Sequence, residues 1–205
     1  MTPKKHIVKN VMRILVACEE SQTVCKAFRE LGHEAYSCDI LPCSGGHPEW
    51  HIQGDVLPLL KKKWDLIIAH PPCTYLSNAG ARFLYPKGEL DTDRLLLGLT
   101  AKQFFMEFLE SNCDRVCVEN PVPSKVFKLP PYNQIIQPYQ FGHPYSKKTC
   151  LWLKGLPPLK PTRVLKKYQS TKIAGNWFNK GGKDRQKNRS KFWTGIAKAM
   201  AEQWG

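Results

Sequence analysis

The stretch Arg13-Ile-Leu-Val-Ala-Cys18 is a short, β-branched and nearly continuous apolar run, which is typical of a buried parallel strand. A helical pattern follows, and we expect Ser21 to open this helix and Gly32 to cap its end. Its apolar residues recur at the spacing of one helical face: Val24, Ala27, Phe28 and Leu31. A buried strand followed by an amphipathic helix is a building unit of layered α/β sheets.

The same alternation continues along the chain. We predict further strands at residues 34–39, 65–69 and 115–119, and a long helix at residues 91–111. The apolar face of that helix is expected to consist of Leu95, Leu99, Lys102, Phe105 and Leu109. Strands and helices in alternation favour a mostly parallel sheet with helices on both faces, in one α/β domain.

Beyond Asn120 the pattern changes to extended segments that prolines interrupt. Residues 135–136 and 150–153 are predicted as edge strands. We expect a cap at Ser190 to start a final helix, whose buried residues are Ile196, Ala199 and Met200.

The 205 residues carry a formal net charge of +14, which suggests an anionic partner. Between residues 160 and 191 there are eleven Lys and Arg against one acidic residue, Asp184. Tyr168, Trp177 and Phe178 lie among these charges, and bases stack on such aromatic side chains. We therefore interpret this tract as a nucleic-acid surface, the alternative being a charged face that is merely solvated.

No segment has the roughly 20 apolar residues that a membrane helix needs, and the first residues carry lysines without an apolar run behind them. We expect a cytoplasmic protein whose eight cysteines are reduced. Residues 1–11 are predicted as a flexible extension and residues 12–205 as a single domain, in which residues 154–191 face the nucleic acid.

Ligands of open α/β sheets bind beyond the carboxyl ends of the strands. The residues expected there are Cys18-Glu19-Glu20, Asp39, Pro71-Pro72-Cys73 and Glu119-Asn120. In the segment from Trp64 to Gly80 a strand runs into Pro-Pro-Cys, and Tyr75, Ser77 and Ala79-Gly80 follow. This segment resembles the catalytic loop of DNA cytosine-5 methyltransferases.

The resemblance extends in order along most of the chain. Asp39-Ile-Leu-Pro42 is similar to the acidic turn that holds the ribose of S-adenosylmethionine in that family, and Gly54-Asp-Val56 to the element that contacts its adenine. Val118-Glu-Asn-Pro121 matches the Glu-Asn-Val motif, with Pro in place of Val. Residues 141–149 resemble the segment Tyr-Gly-x-Pro-Gln-x-Arg-x-Arg, and residues 195–200 the helix that closes the cofactor pocket.

The resemblance implies the class I S-adenosylmethionine-dependent methyltransferase fold, which is Rossmann-like, and methylation of cytosine carbon 5 in DNA. Carbon 5 is a poor nucleophile, so a thiolate must first add at carbon 6. Cys73 would be that thiolate, and protonated Glu119 would donate to ring nitrogen 3. Because a duplex hides the base, the target must be flipped out or single-stranded.

The same motifs imply the remaining site residues. The cofactor is expected at Cys18, Glu19, Ser21, Asp39, Ile40, Asp55, Val56 and Pro71. The nucleic acid is expected at Ser77, Asn120, Lys147, Lys148, Lys172, Trp177, Arg185 and Arg189. Lys147 and Lys148 are also candidates for the positive charge that favours a Cys73 thiolate.

Four further residues have a spacing that superficially resembles a zinc site: Cys38, Cys43, His47 and His51. We expect no metal there, because Cys38 falls within a strand pattern. His47, Trp50 and His51 are instead expected to line or cover the cofactor pocket.

Three departures from the family pattern stand out. Residues 18–23 replace the Phe-x-Gly-x-Gly turn, so Ser21 and the following helix N-terminus are expected to face the methionine carboxylate. Tyr145, Lys147 and Thr149 stand where the family has Gln, Arg and Arg. Only residues 154–189 are available for target recognition, a form typical of phage or prophage members, so specificity is expected to be loose or supplied by a protein partner.

Alternatives remain open from the residues alone. Cys73 could be a buried structural thiol, and RNA could replace DNA. Methylation of an exocyclic amine is a second enzymatic interpretation, although His70 and Cys73 occupy the places where such sites have other residues. A catalytically inactive DNA-binding module on the same fold is the non-enzymatic interpretation.

Overall fold

A central seven-stranded sheet organises the protein in a computed structural model that describes residues 10–171 and 192–205. Its strands follow the spatial order β3-β2-β1-β4-β5-β8-β6, and β7 pairs with β9 separately. The strands are β1 (Arg13–Ala17), β2 (Glu34–Asp39), β3 (His51–Gln53), β4 (Leu66–Ala69), β5 (Val116–Pro121), β6 (Gln134–Ile136), β7 (Tyr145–Ser146), β8 (Thr149–Lys154) and β9 (Gln169–Ser170). The helices are α1 (Thr23–Glu30), α2 (Leu57–Leu60), α3 (Asn78–Ala81), α4 (Thr92–Glu110) and α5 (Thr194–Trp204).

All pairings in the large sheet are parallel except those of β8, which runs antiparallel to both β5 and β6. From β1 the chain builds outward through β2 to β3 and then returns to the other side at β4. This reversal opens a crevice at the carboxyl ends of β1 and β4. A parallel sheet with one inserted antiparallel strand is the topology of the class I methyltransferase fold, so the predicted fold class is confirmed.

The helices cover both faces of the sheet because the buried strands alternate their side chains between the two faces. Ile14 and Val16 share a core with α1 and α5, whereas Leu15 and Ala17 share the other core with α2 and α4. The expected face of α5 is confirmed, since its Ile196, Ala199 and Met200 are fully buried.

The ends of α1 and α4 show which capping predictions hold. Asp91 accepts a hydrogen bond from the Arg94 amide and begins α4, and Gly32 adopts φ +87° after α1, both as predicted. The prediction that Ser21 opens α1 is wrong: the helix begins at Thr23, because Gln22 takes a left-handed conformation. Ser190, the expected cap of the last helix, lies outside the described residues, and α5 begins after Trp193.

Two predictions about packing are wrong. Residues 150–153 belong to β8, which is not an edge strand: it pairs with β5 on one side and β6 on the other. On α4, Leu99 is 50% exposed, whereas Gly98 is buried against the ring of Phe127. A Cβ on Gly98 would lie 2.1 Å from Phe127 Cζ, so this glycine lets the helix approach closely.

Within residues 10–171 and 192–205, none of the helices combines the length and the apolar character that crossing a membrane would require. Of the predicted N-terminal extension, residues 1–9 lie outside the described part of the chain. Met12 already belongs to the fold, since its amide donates to His33 Nδ1 at 3.3 Å.

Candidate active site

The loops that follow β1, β2 and β4 are tied together at the carboxyl edge of the sheet. Glu19 donates its amide to the Cys38 carbonyl at 3.1 Å, and Gly54 donates to the Asp39 carbonyl at 2.9 Å. His70, the first residue after β4, donates its amide to the Ala17 carbonyl at 3.0 Å. The residues predicted for the site therefore meet at one edge.

The loop that carries Cys73 is held against the end of β5 by hydrogen bonds. Asn120 Nδ2 donates to the Pro71 carbonyl at 2.8 Å, Asn78 N to Val122 O at 3.2 Å and Ser124 N to Leu76 O at 2.7 Å. We call these three bonds the 71–124 seam. The seam brings half-buried Cys73 to the same edge as Glu119, which lies one residue before Asn120.

Gly80 allows the turn behind Cys73 to close. A Cβ at Gly80 would lie 2.0 Å from the Thr74 carbonyl oxygen, which is backbone and could not move aside without reshaping the loop. The Ser77 side chain accepts from the Gly80 amide at 3.2 Å and caps α3. These contacts fix the Pro-Pro-Cys turn from its far side.

Glu119 has a neighbour that the sequence interpretation missed. Its Oε2 lies 3.2 Å from His70 Nδ1, and the side chains are only 14% and 11% exposed. The His70 ring also packs against Phe192, with 4.6 Å between ring centroids. The available signal was its position, since a titratable residue directly after a buried strand falls at the ligand-binding edge.

The turn between β1 and α1 keeps a left-handed backbone without the family's glycines. Cys18 has φ 59° and Gln22 has φ 57°, conformations that cost non-glycine residues about 1–2 kcal/mol each. Buried Gln22 offsets this cost through hydrogen bonds: its side chain donates to the His47 carbonyl at 2.8 Å and accepts from the His47 amide at 3.1 Å.

Glu19 occupies the helix N-terminus that we expected to face the methionine carboxylate. Its two carboxyl oxygens accept from the Val24 amide at 2.7 Å and the Cys25 amide at 3.1 Å. Burial raises the pKa of Glu19, while His70 and these two amides lower it. The expectation for the helix N-terminus is therefore wrong, because the protein's own carboxyl group uses those donors. Ser21 lies beside it, with its Oγ 3.2 Å from Thr23 Oγ1.

The acidic turns after β2 and β3 lie on the same side of the crevice. Asp39 is half-buried, burial raises its pKa, and its Oδ1 accepts from the Leu41 amide at 2.9 Å. Ile40 next to it is 74% exposed. Asp55 accepts from the Leu57 amide at 3.0 Å, and buried Val56 precedes α2.

The thiols of the protein differ in their surroundings. Burial raises the pKa of six of them, which makes these poor nucleophiles near neutral pH: Cys18, Cys25, Cys38, Cys113, Cys117 and Cys150. Cys43 donates its thiol to Gln22 Oε1 at 3.1 Å. Cys73 lies in the turn after β4, beside the end of β5.

The residues predicted to contact nucleic acid are only partly placed at the surface. Ser77 and Asn120 are 8% and 1% exposed, so the prediction that they touch the polymer is wrong, and both instead shape the loop. Lys147 and Lys148 precede β8, whose Thr149 pairs with Pro121 of β5. Four predicted contacts lie outside the described residues: Lys172, Trp177, Arg185 and Arg189.

An arginine and aromatic cluster follows the Cys73 loop and was missed by the sequence interpretation. The Arg94 guanidinium lies 5.1 Å from the ring centroids of both Tyr75 and Phe83, and Arg82 lies 4.6 Å from that of Phe83. Arg94 also donates to the Gly80 carbonyl at 3.1 Å. Phe83 remains 50% exposed, so the cluster presents a flat aromatic face to solvent.

His47 and Trp50 do not cover the crevice as predicted. Their rings stack at 3.8 Å and line a cavity of about 450 Å³ beside α1, whose wall includes Gly32 and His33 at the amino end of β2. His51 instead contacts Ser37 Oγ and the Leu41 carbonyl. Within the described ranges, no three His, Cys, Asp or Glu side chains are grouped closely enough to hold a metal ion.

Neither a protein-family model nor a curated protein sequence matches the chain. Among solved structures it is similar to the Entamoeba histolytica methyltransferase EhMeth, with a TM-score of 0.49, 14% identity and 77% of this chain covered. It is also similar to the S. pombe Dnmt2 methyltransferase, with a TM-score of 0.43, 15% identity and 85% of this chain covered. The match covers 58% and 57% of those two chains, so this chain spans less than three fifths of either.

Proposed function

We propose that this chain methylates carbon 5 of cytosine in DNA, with Cys73 as the nucleophile and Glu119 as the acid. The observation that carries the proposal is the 71–124 seam, because it joins the loop of the thiol to the strand end of the carboxyl group. The net charge of +14 supports a polyanionic substrate.

The carboxyl edge of β1, β2 and β3 fits S-adenosylmethionine, which supplies the methyl group when it is bound. Asp39 offers a half-buried carboxylate that would accept from ribose hydroxyls, beside the exposed apolar side chain of Ile40 that would cover the adenine. Glu19 already binds two helix amides, so its carboxyl group suits the methionine ammonium group rather than the methionine carboxylate. Cys18, Ser21, Asp55, Val56 and Pro71 would complete this side.

The chain's own residues account for activating the base. The Cys73 thiol loses its proton to solvent, and the thiolate forms a bond to carbon 6 while Glu119 donates a proton to nitrogen 3. Electron density then builds at carbon 5, which becomes able to accept a methyl group. Water removes the carbon 5 proton, nitrogen 3 returns its proton to Glu119, and the carbon–sulfur bond breaks to release Cys73.

Positive charge near the acid comes from the segment before β8. Burial and Glu119 raise the pKa of the Cys150 thiol to about 11, whereas Lys148 lowers it. Both charges therefore act on one buried thiol, which supports placing Lys148 in the neighbourhood of the reacting groups. A phosphate of the substrate would be the natural partner of this exposed ammonium group.

The arginine and aromatic cluster supports an opened strand as the substrate. Bases stacked on aromatic or guanidinium faces gain about 1–3 kcal/mol each. Phe83→Ala should weaken binding of single-stranded DNA by roughly tenfold. The control is Leu96→Ala on α4, a large exposed apolar side chain outside the cluster, which should leave affinity unchanged. Equal losses in both variants would contradict a stacking role for Phe83.

The proposed reaction is tested by nucleoside mass spectrometry on DNA from cells that lack other cytosine methylation. The cells would express the intact protein, Cys73→Ala, or the matched control Cys43→Ala, which alters another half-buried thiol. We expect 5-methylcytosine with the intact protein and with Cys43→Ala, and none with Cys73→Ala. Methylated adenine or N4-methylcytosine would overturn the proposal in favour of amine methylation, and 5-methylcytosine confined to RNA would overturn DNA as the substrate.

A further inference from the structure

His70 is held in a defined place beside Glu119. Its amide donates to Ala17 O at 3.0 Å, and its ring lies between Glu119 on β5 and Phe192 before α5. Only 11% of its side chain is exposed. Such a ring has little freedom to leave its contact with the carboxyl group.

The contact between His70 Nδ1 and Glu119 Oε2 requires one proton between the two atoms. Either the imidazole donates to a carboxylate, or a carboxylic acid donates to the bare ring nitrogen. At 3.2 Å, two deprotonated atoms would repel each other. The pair therefore binds and loses protons as a unit rather than as two independent groups.

We infer that His70 is a positioning residue that retains the proton Glu119 donates to nitrogen 3 of cytosine, so that the two side chains act as one shared-proton pair. This inference rests on the proposed function, in which Glu119 is the acid. When Glu119 gives its proton to nitrogen 3, the bond from His70 Nδ1–H to the new carboxylate stabilises the product of that transfer. When the thiol is released, nitrogen 3 returns the proton to Glu119.

The charges around the pair favour retention of the proton. Glu19, from the turn after β1, interacts electrostatically with His70, so two carboxyl groups flank one imidazole. Cys117 on β5 and Cys150 on β8 also face Glu119, but burial raises the pKa of both thiols and keeps them neutral. Lys148 acts from the segment before β8, and Cys73 lies on the loop of His70 itself. Phe192 contributes no charge.

Nε2 of His70 faces inward. It is buried and has no hydrogen-bond partner within residues 10–171 and 192–205. A buried polar atom in this state costs about 1–3 kcal/mol, so a purely structural histidine is an expensive choice for this position. Proton retention at Nδ1 gives that choice a function.

Nuclear magnetic resonance of the imidazole nitrogens tests the pair without cofactor or substrate. In the intact, cofactor-free chain labelled at histidine, the His70 signals should titrate, and Glu119→Gln should move their midpoint down by about one pH unit, because an anionic neighbour is lost. His33, a buried histidine at the opposite edge of the sheet, should titrate identically in both proteins. An unchanged His70 midpoint would overturn the inference and leave the proposed methylation untouched.

The second arm measures the rate of methylation against pH. His70→Asn keeps an amide nitrogen in place of Nδ1 but carries no titratable proton. Its activity should fall about tenfold for each pH unit above the displaced limb and recover in acid, whereas a merely structural loss would lower the rate equally at every pH. His33→Asn is the control and should keep the profile of the intact protein. A parallel, pH-independent loss in His70→Asn would overturn the inference.

Discussion

The two halves of the carboxyl edge differ in how they reach their shape. On the β4 and β5 side, Cys73 and Glu119 stand in the order that the family motifs predict, and the 71–124 seam holds them. On the β1 and β2 side the glycines are absent, yet Cys18 and Gln22 keep left-handed backbone conformations. Residue identity therefore identifies the reacting side, whereas backbone conformation, sustained by other side chains, identifies the cofactor side.

The largest expected effect is on the reacting side. Glu119→Gln removes the donated proton but preserves the size of the side chain, so the methylation rate should fall by about 100-fold or more. Cofactor affinity, measured by calorimetry, should stay within about twofold, since Glu119 lies away from the β1 and β2 turns. A variant that retains its rate would remove Glu119 from the mechanism and leave the seam as a structural device.

The next effect is on the cofactor side. Glu19→Gln removes the charge that we assign to the methionine ammonium group, and affinity for S-adenosylmethionine should fall by about tenfold or more. Glu20→Gln is the matched control, because Glu20 is the adjacent, half-buried carboxylate. Equal affinities of Glu19→Gln and the intact protein in calorimetry would show that Glu19 serves only as a helix cap.

A smaller effect should separate the seam from its surroundings. Asn120→Ala leaves the Pro71 carbonyl without its donor, which should lower the free energy of unfolding by about 1–3 kcal/mol in urea titrations. Asn78→Ala alters an exposed amide of the same loop and should change it by less than about 0.5 kcal/mol. Similar losses from both variants would argue against the seam as the source of the loop's order.

The smallest effect is a pH dependence of stability. Burial raises the pKa of Glu19 above its ordinary 4.5, so the folded state holds the proton more tightly than the unfolded state. Stability from this group is therefore present below about pH 4.5 and is lost as the pH rises through the folded pKa. Glu19→Gln should show a shallower fall of unfolding free energy between about pH 5 and pH 8. An identical slope in the two proteins would contradict this reasoning.

Local signals in the sequence were sufficient for the elements whose causes are local. The strand at residues 34–39 has the predicted bounds, and Asp91 begins α4 because a capping carboxylate acts within four residues. β8 was misplaced because its position depends on pairing with β5, which is more than 30 residues away. Its unbroken apolar run at residues 150–153 was nevertheless the pattern of a strand buried on both faces.

The site was predictable in part for the same reason. Cys73 and Glu119 were found from motifs, but the contact of Glu119 with His70 joins residues 49 positions apart. The capping of α1 by Glu19 was equally hidden, since any of three neighbouring polar residues after Cys18 could have served. Sequence reasoning placed the groups at the correct edge, and the pairing among them required the fold.

The central claim is that Cys73 forms a covalent bond to cytosine carbon 6. It is tested most directly by incubating the protein and S-adenosylmethionine with DNA in which every cytosine carries fluorine at carbon 5. Because fluorine cannot leave as a cation, the adduct should survive denaturation, and peptide mass spectrometry should locate it at Cys73. An adduct on another residue, or methylated DNA without any adduct, would contradict the account.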